Sequence, residues 1–450
     1  MGQRRLRVGF GGRAGAVALA AAVLSVAAPH RLVAETTNAE TTRAVSDSSE
    51  ARLWVDRPIE VIQVSGLGRT REFVIRRELR AESGSPVDWS AVESDRLRLL
   101  DTGLFADVRT EVRRDSAEGR PVLTYTLEER FAFALLPLLE YDPEEGWSYG
   151  VYFADRNFRG RAERLSARGA WGERRGAAVG YGVPWVAGRR IGLGVSLFIS
   201  DSEKSTERIR QRKYGVAWSV SPARDYQRRA TLFGGQEQAR TRPIDELDPE
   251  APPRESEDHR WLGLQLSLDT REYRVQARRG QVLRVATTQH GGFLGGDAEF
   301  VRYNLDGMLV LPTPGNTALS LASRAALSDG HVPTYLRQSL GGVNTLRGFS
   351  QGEFGGESRW IGWAELRVPV LSKRTYRAYG RTFDLAVDLT AFTDVGAIWD
   401  GGALLRGEAR ERWGGGGGIA LIMPWVDIAR IEVATNGDRV EFYAVSGLRL

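Results

Sequence analysis

The chain has 450 residues, no Cys, 4 His, 3 Met, 52 Gly, a hydrophobic fraction of 42% and a formal net charge of +5. Without Cys there are no disulfides, thiolate zinc sites, iron–sulfur clusters or cysteine nucleophiles. The charge is local: Arg4, Arg5, Arg7, Arg13 and Arg31 stand in the first 34 residues with no acid, and the rest is neutral, which argues against a nucleic-acid binder recognised by net charge.

Residues 1–13 are arginine-rich, and residues 14–28 form an apolar stretch of 15 ending in small residues. A helix crossing a bilayer needs about 20 residues, so this stretch reads as a secretory signal, residues 1–34, cleaved after Ala27 or Ala34. No Cys follows it, which excludes a lipoprotein anchor. No later apolar run approaches 18 residues. The exported chain is thus expected to be secreted or to span a membrane as strands.

Residues 35–52 are polar and read as a flexible leader. Residues 53–130 read as one small α/β module. Ile59 to Val64 alternate and stop at Ser65-Gly66, a strand ending in a turn. Residues 71–80 carry Phe73, Val74, Arg77 and Leu79 at helical spacing. Ser85-Pro86 breaks the chain, and Asp88 caps a second helix through Val92, Leu97 and Leu100. Strands follow near 107–114 and 122–130.

From residue 131 the helical period disappears. Leu262, Leu264, Leu266 and Leu268 alternate with Gly263, Gln265, Ser267 and Asp269; Phe383, Leu385, Val387 and Leu389 alternate with Asp384, Ala386 and Asp388. A soluble sandwich would bury the apolar face, whereas a membrane barrel would turn it to lipid and line a wet lumen with the polar one. Periodicity alone does not separate the two. The export signal, the 320 residues of unbroken strand texture and the segment lengths favour the barrel. Sixteen strands are expected, starting near 132, 147, 162, 176, 189, 211, 228, 259, 281, 298, 316, 358, 382, 413, 427 and 439. An even count lets the sheet close with no edge facing lipid. The fold class is therefore an all-β transmembrane barrel of 131–450 preceded by one small α/β domain.

The residues around 331–370 carry a specific resemblance. Gly341-Gly342-Val343-Asn344-Thr345-Leu346-Arg347-Gly348-Phe349 resembles the [VL]RG[FY] loop of the BamA/TamA superfamily of outer-membrane assembly and translocation barrels. Further landmarks occur in family order. Asp155, Asn157, Phe158 and Gly160 match an early D-x-N-F-x-G turn, and Asp269, Arg271 and Gly280 match a central D-x-R…G segment. Ala364 to Pro369 resembles the strand after the loop, and Phe392, Asp394 and Gly396 match F-x-D-x-G. The 53–130 module resembles a POTRA domain, including its Thr102-Gly103-Leu104-Phe105 step.

The resemblance implies that the loop at about 329–357 folds back into the lumen and that Arg347 pairs with acidic wall residues. Alternation puts Glu365 opposite Leu366 and Val368, and Asp394 opposite Leu385 and Val387, so both point inward. A guanidinium fork suits such carboxylates. Gly348 would allow a tight turn and Phe349 would pack on the inner wall. As an isolated arginine, Arg347 would read as an ordinary solvated loop residue.

Other features are ordinary. His30, His259, His290 and His331 are scattered with no i, i+4 pair, against a zinc hydrolase. No G-x-S-x-G occurs, and Gly414–Gly418 lacks the Lys of a P-loop and reads as small residues starting a strand. Thr241–Asp258 reads as a long exposed loop, and Trp147, Trp185, Trp360 and Trp425 as girdle or core residues. Pro137 suits an edge strand at a seam.

The implied function is assembly or translocation of outer-membrane proteins, without enzyme activity or cofactor. Its partners would be outer-membrane lipids, unfolded outer-membrane or secreted clients and accessory periplasmic subunits, with no nucleic acid. The module would be periplasmic. Two alternatives stay open: a secretion pore dedicated to one exoprotein, as in two-partner systems, and a structural barrel without client handling.

Overall fold

A computed structural model describes residues 57–446 except 115–120, 143–145, 173–174, 205–207, 223–226, 246, 249–250, 272–276, 379–380, 402–408 and 423–428. The signal and leader readings lie outside these residues, as does Trp425.

The N-terminal module runs β1 (Val61–Ser65), α1 (Glu72–Arg76), α2 (Trp89–Asp101), β2 (Phe105–Arg114) and β3 (Pro121–Glu129). β3 lies in the middle of the sheet, parallel to β1 and antiparallel to β2. Its alternate residues Leu123, Tyr125 and Leu127 are fully buried against Ile62, Val74, Ile75, Val92 and Leu99. α1 is shorter than the expected 71–80, because from Glu78 the N–H groups bond three residues back, Glu78 to Ile75 and Leu79 to Arg76. Asp88 caps α2 by accepting from the Ser90 N–H. Inside the module Asp95 is buried and accepts from the backbone N–H groups of Arg80 and Ala81 and from the Tyr125 hydroxyl. This fixes the link between the helices to the sheet.

The remaining chain is a sixteen-stranded antiparallel meander. Its first eight strands are β4 (Phe133–Asp142), β5 (Gly146–Phe158), β6 (Glu163–Gly172), β7 (Arg175–Val183), β8 (Ile191–Lys204), β9 (Ile209–Pro222), β10 (Arg228–Pro243) and β11 (Glu255–Asp269). β12 (Gly280–Gly291), β13 (Glu299–Thr313) and β14 (Thr317–His331) lead into the long loop, which holds a hairpin of β15 (Gln338–Leu340) and β16 (Phe354–Gly356). The wall resumes with β17 (Ser358–Ala378), β18 (Arg381–Trp399), β19 (Arg412–Ile422), β20 (Ala429–Thr435) and β21 (Val440–Ser446). All sixteen wall strands begin within four residues of the expected positions. The segment read as a loop over 241–258 is shorter, since β10 reaches Pro243 and β11 starts at Glu255. Strand pairing continues there because Thr241 and Glu255 stay in register.

The pleat sorts the side chains. On β8 Leu193, Val195, Leu197 and Ile199 are exposed, as are Ile419 and Ile431 on β19 and β20. Most intervening positions, such as Gly194, Ser196 and Ser200 on β8 and Arg430 and Glu432 on β20, are small, polar or charged and face the opposite side. No described helix is long and apolar enough to cross a membrane. The sheet is curled. Tyr335 in the long loop packs with Ile209 and Ala239 on β9 and β10, while Gly348 of the same loop bonds Tyr443 on β21. A flat sheet would put β10 and β21 about 40 Å apart at normal strand spacing. Among the described residues no ladder joins β4 to β21, and Pro137 sits on the edge strand β4.

Candidate functional site: the inward-folded loop and its anchors

The loop between β14 and β17 is anchored at many points on the inner wall. Its turn is tied internally: the Thr345 hydroxyl donates to the Gly341 carbonyl at 2.7 Å, and the Gly342 N–H donates to the carbonyls of Leu346 and Phe349. Leu340 and Leu346 are fully buried beside Ile361, Trp363, Phe349 and Ile398, an apolar plug on the inner wall. Phe349 meets Phe354 edge to face at 5.5 Å. Gly396 lies against the Leu340 side chain, where a Cβ would come within 3.0 Å.

Arg347 is 0% exposed. Its Nη2 and Nε donate to the two oxygens of Asp394 at 2.7 and 2.9 Å, a bidentate fork, and its backbone N–H adds a bond of 3.1 Å. Nη1 reaches Glu365 and Glu432, each at 3.2 Å. The guanidinium carbon lies 3.2 Å from the centre of the Phe392 ring, so charge pairing and a cation–π contact act on one group. Burying an arginine is tolerable only when its donors are used, and here three carboxylates on β17, β18 and β20 meet it. Glu432 escaped the sequence reading. It lies between exposed Ile431 and Val433, so the same alternation that marks Glu365 and Asp394 would have marked it.

Two glycines admit the loop. A Cβ on Gly414 would lie 1.9 Å from the Arg347 carbonyl oxygen, so the glycine run of β19 is a floor on which the loop backbone rests. Gly348 has φ +92°, and a Cβ there would press on Thr435 at 2.8 Å. Both positions are closed to larger residues.

The loop also reaches other walls. Arg302 on β13 donates to the Leu336 carbonyl at 2.9 Å, and Arg337 grips Asp400 at 2.7 Å. Beneath Tyr335 lies a buried polar cluster: His259 Nε2 is 2.8 Å from His290 Nδ1, and His259 Nδ1 is 3.1 Å from Glu237, which also faces Lys213. The histidines read as scattered are therefore, for two of the four, a hydrogen-bonded pair. Cross-strand register, with Glu237 opposite His259 and Trp261 opposite His290, brings them together, and sequence spacing does not show it.

The remaining family landmarks are turn and docking devices. Asp269 and Arg271 form a bidentate pair across two residues at 2.8 and 2.9 Å, with Gly280 packed against Arg271. The Asp155–Gly160 segment is a docking point for the N-terminal module. Asp155 pairs with Arg69 at 2.5 Å, and buried Asn157 donates to the Thr70 hydroxyl at 2.9 Å. Gly160 accepts from the Arg71 N–H, and a Cβ there would meet the Arg69 carbonyl. The Phe158 ring carries the Arg159 guanidinium at 5.1 Å.

Trp185, read as a girdle or core residue, instead donates its indole N–H to Glu78 of the module at 2.6 Å. The nearby Arg190 pairs with Asp101 of α2. β3 approaches β18 as well, so the module lies beneath the barrel rim on two sides. Trp360 donates to Ser323 within the wall, and the Trp147 side chain lies outside the described residues. Glu129, at the end of β3, holds the docking turn. Burial works against its charge, but the Thr70 hydroxyl and the N–H groups of Arg69, Thr70 and Gly68 outweigh this and hold its carboxyl below the usual carboxylate range.

Comparison with known proteins agrees with this geometry. Residues 157–445 match the Omp85 superfamily domain. A relative in Nitratidesulfovibrio vulgaris, the outer membrane protein assembly factor BamA, is 23% identical over 309 residues, spanning 65% of this chain and 38% of that protein. The fold is shared with two solved structures. One is BamA from Haemophilus ducreyi lacking POTRA domains 1–3, with TM-score 0.59, 17% identity and coverage of 86% of this chain and 83% of that one. The other is CdiB from Escherichia coli, with TM-score 0.60, 14% identity and coverage of 87% and 75%. The chain belongs to the Omp85 superfamily and is an outer-membrane β-barrel of the BamA/TamA type.

Proposed function

We propose that this protein inserts or translocates other proteins at the outer membrane, with its N-terminal module acting as a periplasmic POTRA domain. The observation that carries the reading is the pairing of an anchored inner loop with an unlatched sheet: Arg347 ties the loop to β17, β18 and β20, while β4 and β21 share no described ladder. A client hairpin entering between β4 and β21 would keep its backbone groups bonded while surrounded by lipid.

The module supplies the first contact. β1 is roofed at its start by the Ile59–Ser85 and Ile59–Gly84 bonds, leaving β2 as the longer free edge. An extended client segment would add there as a further strand. Arg109 and Arg113, paired with Asp107, Glu128 and Glu111, keep that edge charged and suit a transient guest over a permanent one. The docked turn at Asp155–Gly160 then places the guest beneath the rim beside β4 and β5. The work needs no catalytic group or cofactor, because client folding supplies the free energy. Lipids, unfolded clients and accessory periplasmic subunits are the partners this scheme calls for.

Depleting the protein and quantifying the outer-membrane and secreted proteomes tests the reading. Broad loss of barrel proteins is the expected result. Loss of one secreted protein would establish a dedicated secretion pore, and unchanged proteomes would establish a structural barrel.

A further inference from the structure

The last strand is held from inside by the loop. On β21 the side chains of Glu441 and Tyr443 face the lumen, while Phe442, 77% exposed, faces outward. The Tyr443 hydroxyl accepts from the Gly348 N–H at 3.0 Å and donates to the Phe349 carbonyl at 2.9 Å. One hydroxyl thus occupies two backbone groups of the loop's tightest turn. Ser350 donates to Glu441 at 3.1 Å, and Arg439, in the turn before β21, pairs with Glu353 of the loop.

The backbone support of β21 is slight by comparison. Among the described residues it is seven long and pairs with β20 alone, which is itself seven residues long and pairs with the glycine-rich stretch of β19. β20 lies opposite Gly415–Gly418, four of the five consecutive glycines of β19, so few side-chain contacts hold the last two strands.

We propose that Tyr443, with Glu441, is the positioning residue that straps the last strand to the loop, so that loop docking and closure of the β4–β21 seam are one equilibrium. Withdrawing the loop removes the inner support of β21 and frees its edge. Conversely, a guest strand that displaces β21 pulls on the turn that carries Arg347 and loosens its contact with Asp394. Tyr443 therefore links the buried charge cluster to the strand whose outer edge a client would use.

The proposal rests on the reading that strands part at this seam, and its test is separable from that reading. The chain has no cysteine, so Leu135→Cys on β4 and Phe442→Cys on β21, both outward-facing, place two spin labels across the seam. Distances between them are read by double electron–electron resonance in lipid vesicles, on full-length protein whose heat-modifiable migration shows a folded barrel. Tyr443→Phe is expected to raise the long-distance population at least twofold, and Glu441→Gln to raise it to a lesser extent. Trp360→Phe, which deletes a wall hydrogen bond away from the loop, is expected to leave it unchanged. Distributions that stay at the wild-type shape in both Tyr443→Phe and Glu441→Gln, or that broaden equally in Trp360→Phe, would overturn the strap. If the labels part as expected while depletion leaves the outer membrane unaltered, the strap stands and client handling falls. If depletion removes barrel proteins while the labels stay fixed, the reverse holds.

Discussion

Arg347 concentrates the energetics of the site in one side chain. Truncation to Ala removes the bidentate partner of buried Asp394 and leaves Glu432 with Arg430 alone, a loss of about 3–5 kcal/mol by the usual cost of breaking a buried pair. The expected outcome is a lower temperature for loss of heat-modifiable migration. Arg347→Lys is expected to recover less than half of the difference, since an ammonium lacks the fork that serves both Asp394 oxygens. Gly414→Ala should reproduce the same shift without touching any charge, because its Cβ would occupy the place of the Arg347 carbonyl oxygen. The inward side of Glu365 and Asp394 was legible from period-two alternation, and Arg347 meets both. What alternation does not give is depth across the lumen. That is why Glu432, the His259–His290 pair and the Tyr443 contacts come only with the folded barrel.

At the scale of elements, the sixteen strands were legible because many alternate, as β11 and β18 do, and polar or glycine-rich turns separate them. The short hairpin of β15 and β16 was not, since three-residue strands carry no period. The junction between module and barrel was half legible. The Asp155–Gly160 turn stood out as a motif, but its docking on Gly68–Arg71 and the role of Trp185 depend on tertiary contact. Asn157→Ala removes two buried hydrogen bonds, to Thr70 and from Ala162, at a cost of about 1–3 kcal/mol for the groups left unpaired. Limited proteolysis between residues 129 and 133 should then accelerate several-fold while the barrel stays heat-modifiable. Glu129 gives the same junction a pH dependence. Its folded carboxyl lies below the ordinary value of 4.5, so its contribution is complete above that pH and is lost as pH falls through the lower folded value. Cleavage at the junction should rise in that acidic window, and Glu129→Gln should flatten the profile.

For the molecule as a whole, the opening composition takes on a different meaning. A hydrophobic fraction of 42% is low for a membrane protein built from helices, but it suits strands that give every second residue to a lumen filled by a folded-in loop. That loop joins β9 and β10 at Tyr335 to β21 at Tyr443, and the module below joins the rim at β5, the β7–β8 turn and β18. The barrel is therefore braced at both ends, while among the described residues no ladder joins β4 to β21. Function on this account requires the loop anchor and the seam together. The most direct measurement reconstitutes the full-length protein in lipid vesicles and follows an unfolded outer-membrane barrel client as it acquires heat-modifiable migration. The account predicts faster client folding than in empty vesicles, and loss of that gain with Arg347→Ala. Equal rates with and without the protein, or an undiminished gain with Arg347→Ala, would contradict it.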